Sequence, residues 1–415
     1  MTGFSSIFPP LLSTALFMLG NGYLNSFISI RMASLGHSEL SIGIVASAYY
    51  IGLVLGALQI AKFILKMGHL RVFASFIGLF NCVCLIHAIS DNLYLWFILR
   101  LLAGISLAGF YVTIESWLLE YSTNRNRGVI LALYMVAVSS SQAFGQLFLD
   151  KYNADASLPF IVVAILLSLS ILPVAVSSGK ITRMHEIELV NITTLSKFAS
   201  ASIFACFVSG LMLSAVYSLL PIVFEEATNQ SEKTAFLMFI TLLGGMILQY
   251  PIGLLSDNFD RRKVLIWVSS VIILLSFVIV IAGYKNLSFS QLTIIYFIFG
   301  GMSFTFYPVA LSMICDKLRS ANIVSATQGL SLIEGIGSII GPIMAPPFMR
   351  AFGLKGLTIY FIIAASCLLA FLIYRIIKAN PVDSQNHFVV ALHTTPVVAE
   401  LDPRGEELEN NQHIS

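Results

Sequence analysis

The chain has 415 residues, 57% of them hydrophobic and 11% charged, with a mean hydropathy of +0.89; an ordinary soluble domain carries about 25% charged residues, so a soluble globular fold is excluded. Its 23 Lys plus Arg nearly balance its 21 Asp plus Glu, which excludes both the basic footprint of a nucleic-acid binder and an acidic solvating protein. The five cysteines, Cys82, Cys84, Cys206, Cys315 and Cys367, lie in apolar runs without the spacing of a disulfide framework or a zinc site, and read as small buried hydrophobes.

A helix needs about 20 apolar residues to cross a bilayer core. Taken in chain order, stretches poor in charge predict twelve spans, at 9–30, 41–61, 72–90, 94–116, 128–149, 157–178, 198–223, 234–256, 264–283, 290–314, 323–346 and 356–377. The first thirty residues carry no charge, so the basic region of a secretory signal is missing and the first span is expected to be a retained helix. Two spans hold internal charges, the fourth (Arg100 and Glu115) and the eleventh (Glu334).

Lys and Arg accumulate in cytoplasmic loops. Fifteen of them, among them Lys62, Lys66, Arg71, Arg125, Arg127, Arg261, Arg262 and Lys263, fall on the side of the N-terminus, against six on the other. Both termini are therefore expected in the cytoplasm of a multi-pass protein of the plasma membrane, the inner membrane of a bacterium. The chain reads as an all-α membrane protein: a six-helix bundle over 1–178, a cytoplasmic linker over 179–197, a second six-helix bundle over 198–378, and an acidic tail over 379–415 expected to be disordered.

The halves match weakly at an offset of 192 to 196 residues. Gly68 falls on Asp260, Arg71 on Lys263, Tyr111 on Tyr307, Glu120 on Asp316 and Gly145 on Gly341, with the order kept throughout. Two six-helix halves in one orientation form a parallel repeat, with a substrate site near the midplane between them.

The run Gly253-Leu254-Leu255-Ser256-Asp257-Asn258-Phe259-Asp260-Arg261-Arg262-Lys263, at the inner end of the eighth span, resembles the loop signature of the major facilitator superfamily, Gly-x-Leu-Ala/Ser-Asp-Arg-x-Gly-Arg-Arg. That resemblance implies the fold of two pseudo-symmetric six-helix halves, transport by alternating access, and a cytoplasmic gate built from Gly253, Asp257, Arg261 and Arg262, with Gly68, Arg71 and Arg127 from the first half. In the equivalent first-half loop Leu65 stands where the family has its aspartate, so closure rests on the second half or the family mechanism transfers only in part. Arg100 and Gly104 resemble the family's Arg-x-x-x-Gly signature. The segments around Glu115, Asn124 to Gly128, Gln249 to Gly253 and Phe306 to Ala310 are similar to the YcaD-type branch of bacterial transporters. The Gly-Pro pair that drug/proton antiporters carry in the fifth helix is replaced by Gly145-Gln146, which counts against antiport.

Arg100, Gly104, Tyr111 and Glu115 share one face of the fourth helix, and about 22 Å of helix separates its two charges, so each needs another partner. An ionisable group inside a bilayer is a functional-site hypothesis by default. Glu115 reads either as the group that couples protons or substrate to transport, or as a structural carboxylate near the inner surface. Arg100 reads as a substrate or proton-relay group or as a snorkelling cation, and Glu334 as a proton site or a helix-to-helix hydrogen bond. By resemblance the first, fourth, seventh and tenth spans line the cavity, which makes Asn21, Asn25, Tyr111, Thr113, Tyr217, Thr305 and Tyr307 candidate lining residues.

The expected function is secondary transport of a small solute, coupled to protons and using no cofactor or metal, by a monomer in the lipid bilayer with no nucleic-acid partner. An uncoupled facilitator and a non-transporting receptor or scaffold are the alternatives. Enzyme and ATPase motifs are absent from the sequence.

Overall fold

Hydrocarbon offers backbone N–H and C=O groups no partner, so a spanning chain satisfies them within helices. The computed structural model describes residues 2–123, 126–150, 157–176, 192–316 and 323–378, and in the tail 388–389, 394–395, 397–398 and 402–403; among them there is no strand. The first half comprises α1 (Thr2–Ser34), α2 (Glu39–Met67), α3 (His69–Ile89), α4 (Leu93–Glu120), α5 (Arg127–Gln146) and α6 (Leu158–Ala175). The second comprises α7 (Ile192–Ser218), α8 (Leu220–Thr228), α9 (Ser231–Asn258), α10 (Arg261–Ala282), α11 (Phe289–Phe304), α12 (Phe306–Cys315), α13 (Ile323–Met344), α14 (Pro346–Phe352) and α15 (Gly356–Lys378). Among the described residues eleven helical stretches are long and apolar enough to cross a membrane, and the last of these, Ala326–Lys378, takes in most of α13 and all of α15, so it has room for two of the twelve expected spans.

Sequence signals set the helix ends. Ser38 caps α2 by accepting from the Ser41 N–H at 3.3 Å, Asn92 caps α4 through Leu95 at 3.1 Å, and Ser288 with Gln291 forms a capping box at α11. Gly68 ends α2 and opens α3 in one residue at φ +82°, a conformation in which a Cβ would be strained. The seventh and tenth spans, each expected as one helix, are interrupted at Leu219 and Thr305. Pro221 and Pro308 follow closely, and proline removes a backbone donor from the preceding turn. The linker expected at 179–197 ends earlier: 177–191 lie outside the described residues, while Ile192 already opens α7, which bends at Ala199 (φ −126°, ψ 27°).

The duplication is visible in the packing. In the first half α1 lies along α5 and α2 along α4; in the second α7 lies along α13 and α9 along α11. Gly145 and Gly341, paired by the sequence offset, do the same job: each brings its helix against a neighbouring backbone carbonyl, that of Leu19 on α1 and that of Leu211 on α7.

We call the end of the bundle holding the start of α1 and the end of α15 the linker end. The halves meet toward the opposite, far end. There Gly43 of α2 abuts the Pro342 carbonyl of α13, the Ser47 hydroxyl donates to the Ile339 carbonyl at 2.7 Å, and the rings of Phe144 (α5) and Phe239 (α9) stand 5.3 Å apart. Of the cysteines, Cys84, Cys206 and Cys315 are buried as expected, whereas Cys82 and Cys367 are exposed on the outside of the bundle; all five are free thiols.

The described tail residues differ from the expectation of a disordered extension. Phe388, Val397 and Val398 are buried, and Val397 sits in an apolar cluster with Ala57, Ile60, Ile64, Val72, Ala108 and Val112. The acidic average of the tail conceals these short apolar stretches, which find cover in the α2/α3/α4 cluster and against Gly253 of α9. The remainder of 379–415 lies outside the described residues.

Candidate functional site

Between the halves lies a cavity lined by Asn21 and Asn25 (α1), Tyr49 and Tyr50 (α2), Tyr111 (α4), Gln142 (α5), Tyr217 (α7), Gln249 (α9), Phe304 (α11) and Thr394 of the tail. It encloses about 730 Å³, its open mouth included. Two smaller compartments share Tyr50 and Tyr217 with it: one reaches Ser331, Glu334 and Ser338 of α13, the other reaches Arg100 and Ser29. The Tyr217 hydroxyl donates to Gln142 Oε1 at 3.1 Å, a hydrogen bond across the two halves in the middle of the cavity.

The charges of α4 stand toward opposite ends of the bundle and have separate partners, as their spacing predicts. Arg100, toward the far end, is 4% exposed. Its Nη2 donates to Asn25 Oδ1 at 2.6 Å, and its guanidinium lies 4.0 Å from the centre of the Tyr49 ring. Tyr49 donates in turn to Asn21 Oδ1 at 3.0 Å. Glu115, toward the linker end, is fully buried. It accepts from Tyr134 of α5 at 3.1 Å and from the hydroxyls of Thr394 and Thr395. All its described partners are donors to a carboxylate.

Glu334, 3% exposed, lines the α13 compartment, so the eleventh span contributes to the cavity. Of the neutral candidates, Asn21, Asn25, Tyr111 and Tyr217 line it. Thr113 and Thr305 do not: each donates to its own helix, to the Gly109 carbonyl at 2.7 Å and the Met302 carbonyl at 2.6 Å. Tyr307 turns toward Ser331, with the two hydroxyls 2.8 Å apart.

At the linker end, Arg261 joins three elements. It pairs with Asp257 at 3.2 Å and Asp316 at 2.7 Å and donates to Ser256 at 2.8 Å, with its side chain 2% exposed. Arg262 pairs with Asp260 at 2.7 Å. Burial opposes the charged form of Asp260, but the hydrogen bonds and charge of Arg262 outweigh it and hold the carboxyl below its usual value. The second carboxylate oxygen of Asp257 accepts from the backbone N–H of Phe388 at 2.9 Å, and the Phe388 ring covers Gly253. The first half has no equivalent cluster among the described residues. Arg71 is exposed with no ion-pair partner there, and Arg127 opens α5. Gly68 supplies the turn between α2 and α3; Arg125, and the side chain of Leu65, lie outside the described residues.

Sequence reasoning missed Tyr49, Tyr50, Gln142, Gln249 and the tail threonines. A signal existed for α5: Gln142 and Gln146 lie four apart on one face of an apolar helix, and Gln146 accepts from Ser26 and donates to the Gly22 carbonyl.

Two duplicated halves around a central cavity are an arrangement shared with known proteins. The sequence matches the Major Facilitator Superfamily over residues 11–189 and 202–399. The chain belongs to that superfamily. Its members are membrane transporters and not enzymes. A curated relative, the uncharacterised MFS-type transporter YcaD of Escherichia coli O45:K1 (strain S88), is 29% identical over 341 residues, covering 81% of this chain and 87% of that protein. Among solved structures of the fold, a point mutant of the nucleoside transporter NupG has a TM-score of 0.76 at 14% identity, covering 90% of this chain and 100% of that one. A D-xylose-proton symporter has a TM-score of 0.73 at 12% identity, covering 92% and 99%.

Proposed function

We propose that this superfamily member is a secondary active transporter that carries a small solute through the cavity between its halves by alternating access, with Glu115 as the group that takes up and releases the proton. The supporting observation is the cavity itself: it carries amides and tyrosine hydroxyls from both halves, is closed by helix contacts at the far end, and is lined in part by Thr394, whose hydroxyl is bonded to the buried Glu115 carboxyl. A buried carboxyl responds strongly to whether a proton or hydrogen-bond donors neutralise it, so the occupant of the mouth and the protonation of Glu115 are linked. The structural likeness to a D-xylose-proton symporter agrees with proton coupling. The excess of Lys and Arg on the linker end supports a cytoplasmic position for that end and a location in the bacterial inner membrane, as a monomer that needs no cofactor beyond the proton gradient.

The test uses proteoliposomes supplied with a small-metabolite extract and followed by mass spectrometry. An imposed pH gradient should accelerate depletion of at least one compound, and Glu115→Gln should leave a flux that no longer responds to the gradient. Flux indifferent to both the gradient and the substitution would instead support an uncoupled facilitator.

A further inference from the structure

Arg100 has no charged partner among the described residues. One of its five N–H bonds goes to Asn25, and Nε and Nη1 have no hydrogen-bond acceptor. The Tyr49 ring offers its face, but a ring satisfies no in-plane donor. A guanidinium stays charged at any physiological pH and presents a planar fork suited to an oxyanion. Buried without a counter-charge it is costly, and the cost is removed when an anion arrives. Arg100 and Asn25 line one compartment, and Asn25 also lines the main cavity, so a bound solute has a path to it.

We propose that the transported solute is a small organic anion whose carboxylate or similar oxyanion is received by Arg100, with Asn21, Asn25 and Gln142 contacting its neutral part. Glu334, which lines the α13 compartment, disfavours a multiply charged solute and selects a single negative charge. This reading rests on the proposed transport function. For the test, a cell extract is divided on an anion exchanger into retained and unretained fractions, and each is offered to proteoliposomes. The expected result is uptake from the retained fraction only, reduced at least tenfold by Arg100→Gln and less by Arg100→Lys. Uptake confined to the unretained fraction, or retained-fraction uptake equal in the wild type and Arg100→Gln, overturns the assignment. No uptake from either fraction overturns the transport reading beneath it.

A different observation carries a second inference. The described tail residues touch both halves at the linker end: Phe388 engages Asp257 and covers Gly253, Thr394 and Thr395 engage Glu115, Val397 fills the α2/α3/α4 cluster, and Pro403 reaches Gly128. Thr394 lines both the main cavity and the α13 compartment. The geometry points to an intrachain plug: Phe388, Thr394, Thr395 and Val397 close the linker-end mouth and must leave before solute passes there. Solute and plug compete for the mouth, so plug release sets the rate of exchange on that side.

The plug is testable without a known solute, in the full chain. Ala57→Cys places a thiol beneath Val397, and its reaction with a membrane-impermeant maleimide applied from the linker end is measured by peptide mass spectrometry. Val397→Asp puts a charge into the apolar cluster and expels the tail, and should raise the labelling rate at least tenfold; the double change Thr394→Ala, Thr395→Ala should raise it less. Equal rates in the presence and absence of Val397→Asp overturn the plug, as does wild-type labelling already as fast as that of a thiol free in solution.

Discussion

Arg261 shows what one side chain does in this protein. Its guanidinium is 2% exposed and bonded to Asp257, Asp316 and Ser256, so removing it takes the 2.7 Å ion pair away from the buried carboxylate of Asp316. Breaking a buried pair by deleting one partner costs about 3 to 5 kcal/mol. Arg261→Ala should lower stability by that amount in thermal unfolding in detergent, with Arg261→Lys between it and the wild type; a loss below about 1 kcal/mol would mean that water already solvates the cluster. At this scale the sequence was most informative where charge is scarce. Arg100, Glu115 and Glu334 stand out in apolar spans, and all three are buried; Arg100 and Glu334 line compartments of the cavity, and Glu115 is bonded to Thr394, which lines it. Tyr49, Tyr50 and Gln142 did not stand out, because hydroxyls and amides are common enough in spans that only a neighbour across the fold decides which of them faces a cavity.

Helix packing in a bilayer lacks the drive of water exclusion, so small residues that let backbones approach carry it. Gly300 of α11 is such a position: a Cβ there would meet the Thr241 carbonyl of α9, whereas a Cβ at Gly78 of α3 meets nothing within 4 Å. Gly300→Ala should therefore cost about 2 kcal/mol through forced separation of the helices. Gly78→Ala should be neutral or stabilising by up to about 1 kcal/mol through helix propensity. Thermal unfolding of the pair checks this, and equal shifts would show that α9 and α11 have slack. Span number and order were legible from hydropathy, but the interruptions at Leu219 and Thr305 were not. Averaging over a span hides a single irregular residue, and the nearby Pro221 and Pro308 were its visible traces.

For the whole molecule, the repeat predicted from a faint offset is carried by matched helix pairings, and Gly145 and Gly341 make equivalent backbone contacts in the two halves. The linker-end ion pairs of Arg261 and Arg262 belong to the second half. By the same offset Arg261 falls on His69 and Asp316 on Glu120, and His69 Nε2 has no hydrogen-bond partner. The absence of the family aspartate at Leu65 announced this asymmetry in the sequence. The tail was the least legible part, since its net charge suggested solvation and only pairing with distant positions shows where its apolar residues go. That distance also orders events at birth. Thr394 and Thr395 are made 279 and 280 residues after Glu115, so the ribosome delivers the carboxyl to the membrane long before its last two hydroxyl partners exist. Until synthesis ends, Tyr134 from the next helix and water at the mouth are what Glu115 has, and every newly made molecule passes through an unplugged stage before its tail arrives.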